Sequence, residues 1–140
     1  MKKWRRIVAL LVLIVLAATT GIHGKNNKAN FKVGVVTGTV SQGEDEYRAG
    51  EEMKKRYGDR VIHVTYPDNF MQEQETTIGR ITELAFDPNV KAIIVCQGVP
   101  GTSAAFDKIR NSRDDILLLV GLTQEDPRII GEKADLVFDR

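Results

Sequence analysis

Cysteine is almost missing from this chain, which has only Cys96 in 140 residues. A single thiol forms no internal disulfide and cannot anchor a structural metal alone. Within the apolar run AIIVCQG it reads as a small buried hydrophobe. Histidine is nearly as scarce: His23 lies near the N-terminus and His63 in the middle of VIHVTY, and neither belongs to a His-Glu-x-x-His zinc pattern. No serine sits in a G-x-S-x-G elbow. The glycines around the first strand run Gly34-x3-Gly38-x4-Gly43, which matches neither G-x-G-x-x-G nor G-x-x-x-x-G-K-[ST]. A phosphoacceptor receiver wants paired acids after its first strand and an Asp after its third, where this chain has Thr37-Gly38 and Gln97-Gly98. These absences exclude the common nucleotide, zinc and nucleophile signatures, and the expectation is a protein that is not an enzyme.

A surplus of positive charge is also lacking once the N-terminus is set apart. Six of the 20 basic residues fall in residues 1–30, which hold no acid; residues 31–140 keep 14 basic against 19 acidic residues, about −5. Such a segment has no electrostatic footprint for nucleic acid. The N-terminus itself begins with Lys2, Lys3, Arg5 and Arg6, followed by the uncharged run IVALLVLIVLAA from Ile7 to Ala18. A basic start and roughly 7–15 apolar residues mark a secretory signal peptide, whereas a spanning helix needs about 20. Residues 1–24 are expected to be a signal peptide or an N-terminal membrane anchor, and 25–30 a polar linker. The folded part is then exported, at the cell surface or in the periplasm, and touches the membrane only through an uncleaved leader.

From Phe31 onward apolar runs alternate with helical patterns. FKVGVVTG (31–38), RVIHVTYP (60–67), KAIIVCQG (91–98), ILLLVGL (116–122) and DLVFDR (135–140) read as strands. Between them, Ser41 and Glu44 form a potential capping box, and the helix they open stops at Gly58. Asp68 or Asn69 can cap a second helix whose inward stripe is Ile78, Ile81, Leu84 and Ala85. Ala105, Phe106 and Ile109 line a third, and Asp126-Pro127 opens a short fourth. The pattern predicts an α/β three-layer sandwich of flavodoxin-like or Rossmann-like type. Its parallel sheet has about five strands in the order 2-1-3-4-5 and is covered on both faces.

Such sheets bind ligands at the carboxyl ends of strands, beside the switch in strand order. That rule selects the stretches 37–41, 67–70, 97–101 and 122–126. Their candidate ligand-binding residues are Thr37, Thr39, Ser41, Asp68, Asn69, Gln97, Thr123 and Glu125. Asp68 and Glu125 read equally well as helix caps, and Phe70 as a helix staple. His63, mid-strand, is expected to be structural. No metal and no cofactor is implied by these residues, although Thr37-Gly38-Thr39 partly matches a flavodoxin phosphate loop. The alternative to solute binding is therefore an electron carrier holding flavin at Thr37–Ser41.

The succession FKVGVVTGTVSQGEDEYRAGEEM, VTYPDNF, DPNVKAIIVCQGVPGT and LVGLTQEDP resembles the type I periplasmic binding-protein fold. It is most similar to an uncharacterised family of exported, binding-protein-like bacterial lipoproteins. The resemblance covers residues 31–140. It implies two α/β lobes closing on a small polar solute through a hinge, with an ABC-type permease or a membrane sensor as partner. It also implies that the eight candidate residues line the cleft. Two features depart from that pattern. A lipoprotein carries a Cys just after its apolar leader, where this chain has Thr19-Thr20-Gly21. Residues 31–140 also supply about one lobe, so the chain is expected to be a piece of a two-lobed protein. Effector domains of some transcription regulators share the fold but carry a helix-turn-helix module where this chain has its apolar leader.

Overall fold

The computed structural model describes residues 30–138; the leader and most of the linker expected from the sequence lie outside them. Five parallel strands form the sheet: β1 (Lys32–Thr37), β2 (Val61–Thr65), β3 (Val90–Val95), β4 (Leu117–Gly121) and β5 (Leu136–Phe138). Their spatial order is β2-β1-β3-β4-β5, with Val35 paired to His63 on one side and to Ile94 on the other. This is the flavodoxin- or Rossmann-like α/β sandwich that the alternation predicts. The connecting helices are α1 (Val40–Tyr57), α2 (Gln74–Leu84), α3 (Thr102–Arg110) and α4 (Pro127–Gly131), and a short 3-10 turn, Gly58–Arg60, follows α1.

Right-handed crossovers decide which face each helix covers. The β1–β2 step runs in one direction along the sheet, and every later step runs in the other. So α1 lies on one face, with α2, α3 and α4 on the opposite one. On the three-helix face, the stripe Ile78, Ile81 and Leu84 meets Phe106 and Ile109 of α3 over Val36, Ile93, Val95, Leu118 and Val120, all buried. Below the sheet Arg113 ties the incoming loops together. Its guanidinium donates to the carbonyls of Ala85 (3.0 Å), Asp87 (2.9 Å) and Val90 (3.1 Å), and to the carboxylate of Asp115.

The other face departs from the expectation of a sheet covered on both sides. There α1 shields β1 and β2, but over β3–β5 no described helix lies. Alternation along the strands turns Ile94, Leu117, Leu119, Leu136 and Phe138 to this side. Leu117, Leu136 and Phe138 are 49%, 46% and 56% exposed. Among the described residues only the β1–β2 crossover sends a helix to that face, and the described helices leave half of it open.

Two capping expectations also change. Thr39, not Ser41, stands at the start of α1 and makes no side-chain cap bond, and Gly43 interrupts the helix after its first turn (φ −166°, ψ 83°). Residues 66–73 form a loop, and α2 begins only after Glu73, so neither Asp68 nor Asn69 caps it. By contrast Asp126 caps α4 as expected, accepting from the N–H of Arg128 at 2.9 Å.

Candidate functional site

All four strand-to-helix loops that follow β1 to β4 lie at one end of the sheet, because every strand is parallel. The switch in order falls between β1 and β3, and the polar groups nearest it form two clusters. In the first, the Asp68 carboxylate accepts from the hydroxyl of Thr39 and from that of Ser41 (2.8 Å), while Gln42 Nε2 donates to the Asp68 carbonyl (2.8 Å). The β1 loop thus clasps the β2 loop. The Thr39 and Ser41 hydroxyls hold the exposed Asp68 carboxyl below the usual carboxylate range. Such a group is a hydrogen-bond acceptor and a fixed negative charge, and a poor proton acceptor near neutral pH. Asn69 is exposed beside it, with its carbonyl closing the turn onto the N–H groups of Gln72 and Glu73.

In the second cluster Gln97 stands at the end of β3. Its Nε2 donates to Glu46 Oε1 of α1 (3.0 Å), and its Oε1 accepts from the Tyr66 hydroxyl at 3.4 Å. Glu46 Oε2 is buried and has no hydrogen-bond partner among the described residues. Burial, with the Glu46 charge added to it, pushes the Tyr66 phenol up to about 12 and the nearby Cys96 thiol up to about 11. Phe70 packs edge-on against Tyr66, with ring centroids 5.5 Å apart; because α2 begins only after Glu73, this is loop packing and not the helix staple expected from the sequence.

Three candidate residues support the rim from behind. Thr37 is fully buried, and its hydroxyl donates to the Gly38 carbonyl (2.8 Å) while lying 2.8 Å from His63 Nε2. His63 Nδ1 lies 2.7 Å from Glu51 Oε1, and this hydrogen bond lowers the Glu51 pKa. The row carboxylate–imidazole–hydroxyl resembles a nucleophile relay, but the Thr37 oxygen is out of reach of any substrate, so the row is structural. Gly50 makes room for it: a Cβ there would stand 2.5 Å from His63 Nε2. Glu125 reaches across to the start of α3, where its two carboxylate oxygens accept from the N–H groups of Gly101 and Ser103, each at 2.9 Å. Gly101 takes φ 102° to present its amide, a conformation that favours glycine. Thr123 fixes that loop, its Oγ1 accepting from the Glu125 N–H at 3.0 Å.

The structure therefore brings Thr39, Ser41 and Asp68 into one cluster, with Asn69 beside them. It sets Gln97 in a second and holds Thr37, Thr123 and Glu125 as supports. Glu46, Gln42 and Tyr66 were not among the sequence candidates. In the sequence Glu46 is one of three consecutive acids at a helix start, and nothing marks it apart from Glu44 and Asp45. The residues do not fit a flavin phosphate: the Thr39 and Ser41 hydroxyls are spent on the Asp68 carboxylate, the Thr37 hydroxyl is buried against His63, and a phosphate there would meet the Asp68 charge. Among the described residues no group of three His, Cys, Asp or Glu side chains is placed to hold a metal ion, and no helix is long and apolar enough to cross a membrane.

Residues 31–140, the whole span of the folded pattern, match the family described as protein of unknown function (DUF3798). The chain belongs to this family. An uncharacterized protein of Treponema pallidum (strain Nichols) is 37% identical over 115 residues, 77% of this chain and 52% of that protein. A second from the same organism is 46% identical over 57 residues, 41% of this chain and 26% of that protein. A solved structure from Clostridium difficile 630, described as a "Putative transcriptional regulator", superimposes with a TM-score of 0.70 at 29% identity. It covers 76% of this chain and 33% of that one. The chain thus spans about half the length of the first Treponema relative and a third of the solved structure.

Proposed function

We propose that this chain is one wall of a cleft that captures a small polar solute without chemistry, as a lobe of an exported protein of the type I periplasmic binding-protein kind. The observation that carries this reading is the clasp at the switch point. Thr39 and Ser41 from the loop after β1 hold Asp68 from the loop after β2, and Gln97 from β3 stands across the switch. Exposed hydroxyl, amide and carboxylate groups supplied by separate loops suit recognition of hydroxyls or amines. Delivery to an ABC-type permease or a membrane sensor follows from the resemblance and from the apolar leader. The solved neighbour's description as a "Putative transcriptional regulator" suits the same use of the fold, ligand sensing. DNA contact is not part of this reading, because residues 31–140 carry more acids than bases.

One wall leaves the other side of the ligand in water, so an affinity near 1 mM is expected, about −4 kcal/mol. A thermal-shift and NMR screen of sugars, amino acids, nucleosides and short peptides against the full chain tests it. The expected result is a small polar ligand whose shifts cluster at residues 39–41, 68–69 and 97, with Thr39→Ala and Asn69→Ala each weakening it. A ligand that binds both variants as tightly as the wild type removes the assigned cleft.

A further inference from the structure

The row of Glu51, His63 and Thr37 does no chemistry on a substrate, but its hydrogen bonds require more protons than a neutral ring supplies. His63 lies mid-strand in β2 with its side chain only 2% exposed. Three links run in sequence. Glu51 Oε1 lies 2.7 Å from His63 Nδ1, His63 Nε2 lies 2.8 Å from Thr37 Oγ1, and Thr37 Oγ1 lies 2.8 Å from the Gly38 carbonyl oxygen. A carboxylate and a carbonyl stand at the two ends, and both only accept. Each link therefore needs a proton of its own. The hydroxyl carries one and a neutral imidazole one, so a neutral ring leaves one link unmade. A doubly protonated ring completes all three.

The link that fails is the one to Gly38. Nδ1–H stays with Glu51, because a charged acceptor holds a hydrogen bond more strongly than a neutral one. Nε2 is then a bare acceptor, and the Thr37 hydroxyl turns to it. Thr37 and Gly38 are both buried, and among the described residues no other donor reaches the Gly38 carbonyl. A buried carbonyl without a donor is costly, so the loop must shift to find one. The second proton belongs on the ring and not on Glu51, whose half-exposed carboxyl is held below its usual range by the hydrogen bond to His63. From α1 the ring also faces Tyr47, with ring centroids 5.4 Å apart, and Lys54 acts on Glu51 from the next turn. From β1 it meets Val35 and Thr37, which do not titrate, and α2 lies on the opposite face of the sheet.

We propose that His63 is a proton-operated latch on the rim loop. Protonated, it donates to Thr37 and leaves that hydroxyl free to hold the Gly38 carbonyl. Neutral, it takes the hydroxyl back and lets the carbonyl go. Gly38 immediately precedes Thr39, whose hydroxyl holds Asp68 together with that of Ser41. The clasp between the β1 and β2 loops is thus firm at low pH and loosens as the pH rises. The proton enters and leaves beside the half-exposed Glu51 carboxylate, and no bond between heavy atoms changes. The latch acts on the loop itself and does not depend on which solute the cleft takes.

NMR of the full chain between about pH 5 and about pH 8 tests it, with His23→Gln leaving a single imidazole in the spectrum. The His63 ring nitrogens are read directly, and the Thr39 amide, bonded to the Gly38 carbonyl carbon, reports on that carbonyl. The two are expected to change together at one midpoint while circular dichroism stays constant. In Thr37→Val, which keeps the shape and removes the hydroxyl, the ring should still titrate and the Thr39 response should be lost. Thr37→Ser keeps the hydroxyl and should keep the response. A ring that holds one protonation state throughout overturns the proposal, and so does a ring that titrates without moving Thr39. A Thr39 response that survives in Thr37→Val overturns it as well. The chain with its native Thr37 decides the first two outcomes, so the test stands even if the valine variant does not fold.

Discussion

Truncating Glu125 isolates the most consequential support of the rim. Its carboxylate accepts two backbone N–H bonds at 2.9 Å from residues at the start of α3, and the Gly101 amide belongs to a buried residue. Losing a helix cap costs about 0.5–2 kcal/mol. Leaving a buried N–H without an acceptor costs about 1–3 kcal/mol. Glu125→Ala should therefore destabilise the chain by about 3 kcal/mol. Glu125→Gln, which keeps one acceptor oxygen, should cost about half of that. In urea, with a slope of about 2 kcal/mol/M, the midpoints fall by about 1.5 M and about 0.7 M respectively. Circular dichroism of the full chain reads both. A second signature separates this mechanism from loss of packing: sulfate can occupy a vacated helix N-terminus, so it should stabilise Glu125→Ala more than the wild type. Equal midpoints for wild type and alanine variant, or the same sulfate response in both, would refute the reasoning.

Gly50→Ala should destabilise by about 1–3 kcal/mol through overpacking, because its Cβ would stand 2.5 Å from the ring of His63. Gly79→Ala, in α2 with nothing within 4 Å of the added carbon, should stabilise by about 0.5–1 kcal/mol; thermal melts of the two variants give opposite signs or the packing account is wrong. Hydrogen bonds from Arg113 and then Lys91 hold the exposed Asp115 carboxyl well below its ordinary value. A depressed folded value contributes stability that is complete above the unfolded value, about 3.9, and is lost as the pH falls through the folded one. Asp115→Asn should accordingly flatten the acid limb of unfolding midpoints measured from about pH 6 to about pH 2, and a limb of unchanged steepness would assign the acid sensitivity to other carboxylates.

Much of the fold is legible along the chain because its signals are local. ILLLV and AIIV are too apolar to be anything but strands buried on at least one face. Ile78, Ile81 and Leu84 repeat at the helical period, and Asp126-Pro127 opens a helix that begins at that proline. Once the strand order is given, the face each helix covers follows from the handedness of the crossovers, which chirality imposes on any such alternation. Local patterns misled where a side chain had a distant partner to choose. Ser41 and Glu44 have the spacing of a capping box, yet Ser41 turns to Asp68, twenty-seven residues on. The carboxylate that best serves α3 comes from Glu125, beyond the next strand.

The candidate site divides in the same way. That the strand-to-helix loops after Thr37, Thr65, Val95 and Gly121 share one end of the sheet follows from parallel strands alone. Which residues there are free to meet a solute does not. Thr37 and Thr39 are two residues apart in one loop, but one hydroxyl is buried against His63 and the other is exposed at Asp68. Glu46 stands apart from its acidic neighbours only because α1 carries it against Gln97.

The sequence by itself determined the alternation of elements, the parallel run of the strands and the acidic balance of the folded part, since these depend on periodicity, backbone chirality and composition. Only the tertiary structure decided that the described helices leave half of one sheet face open, that Glu125 fills the anion position of α3, and that Glu46 keeps an oxygen with no partner among the described residues. Each of these is a competition for partners among groups distant in the chain, and burial and hydrogen-bond geometry settle it only once the loops are brought together.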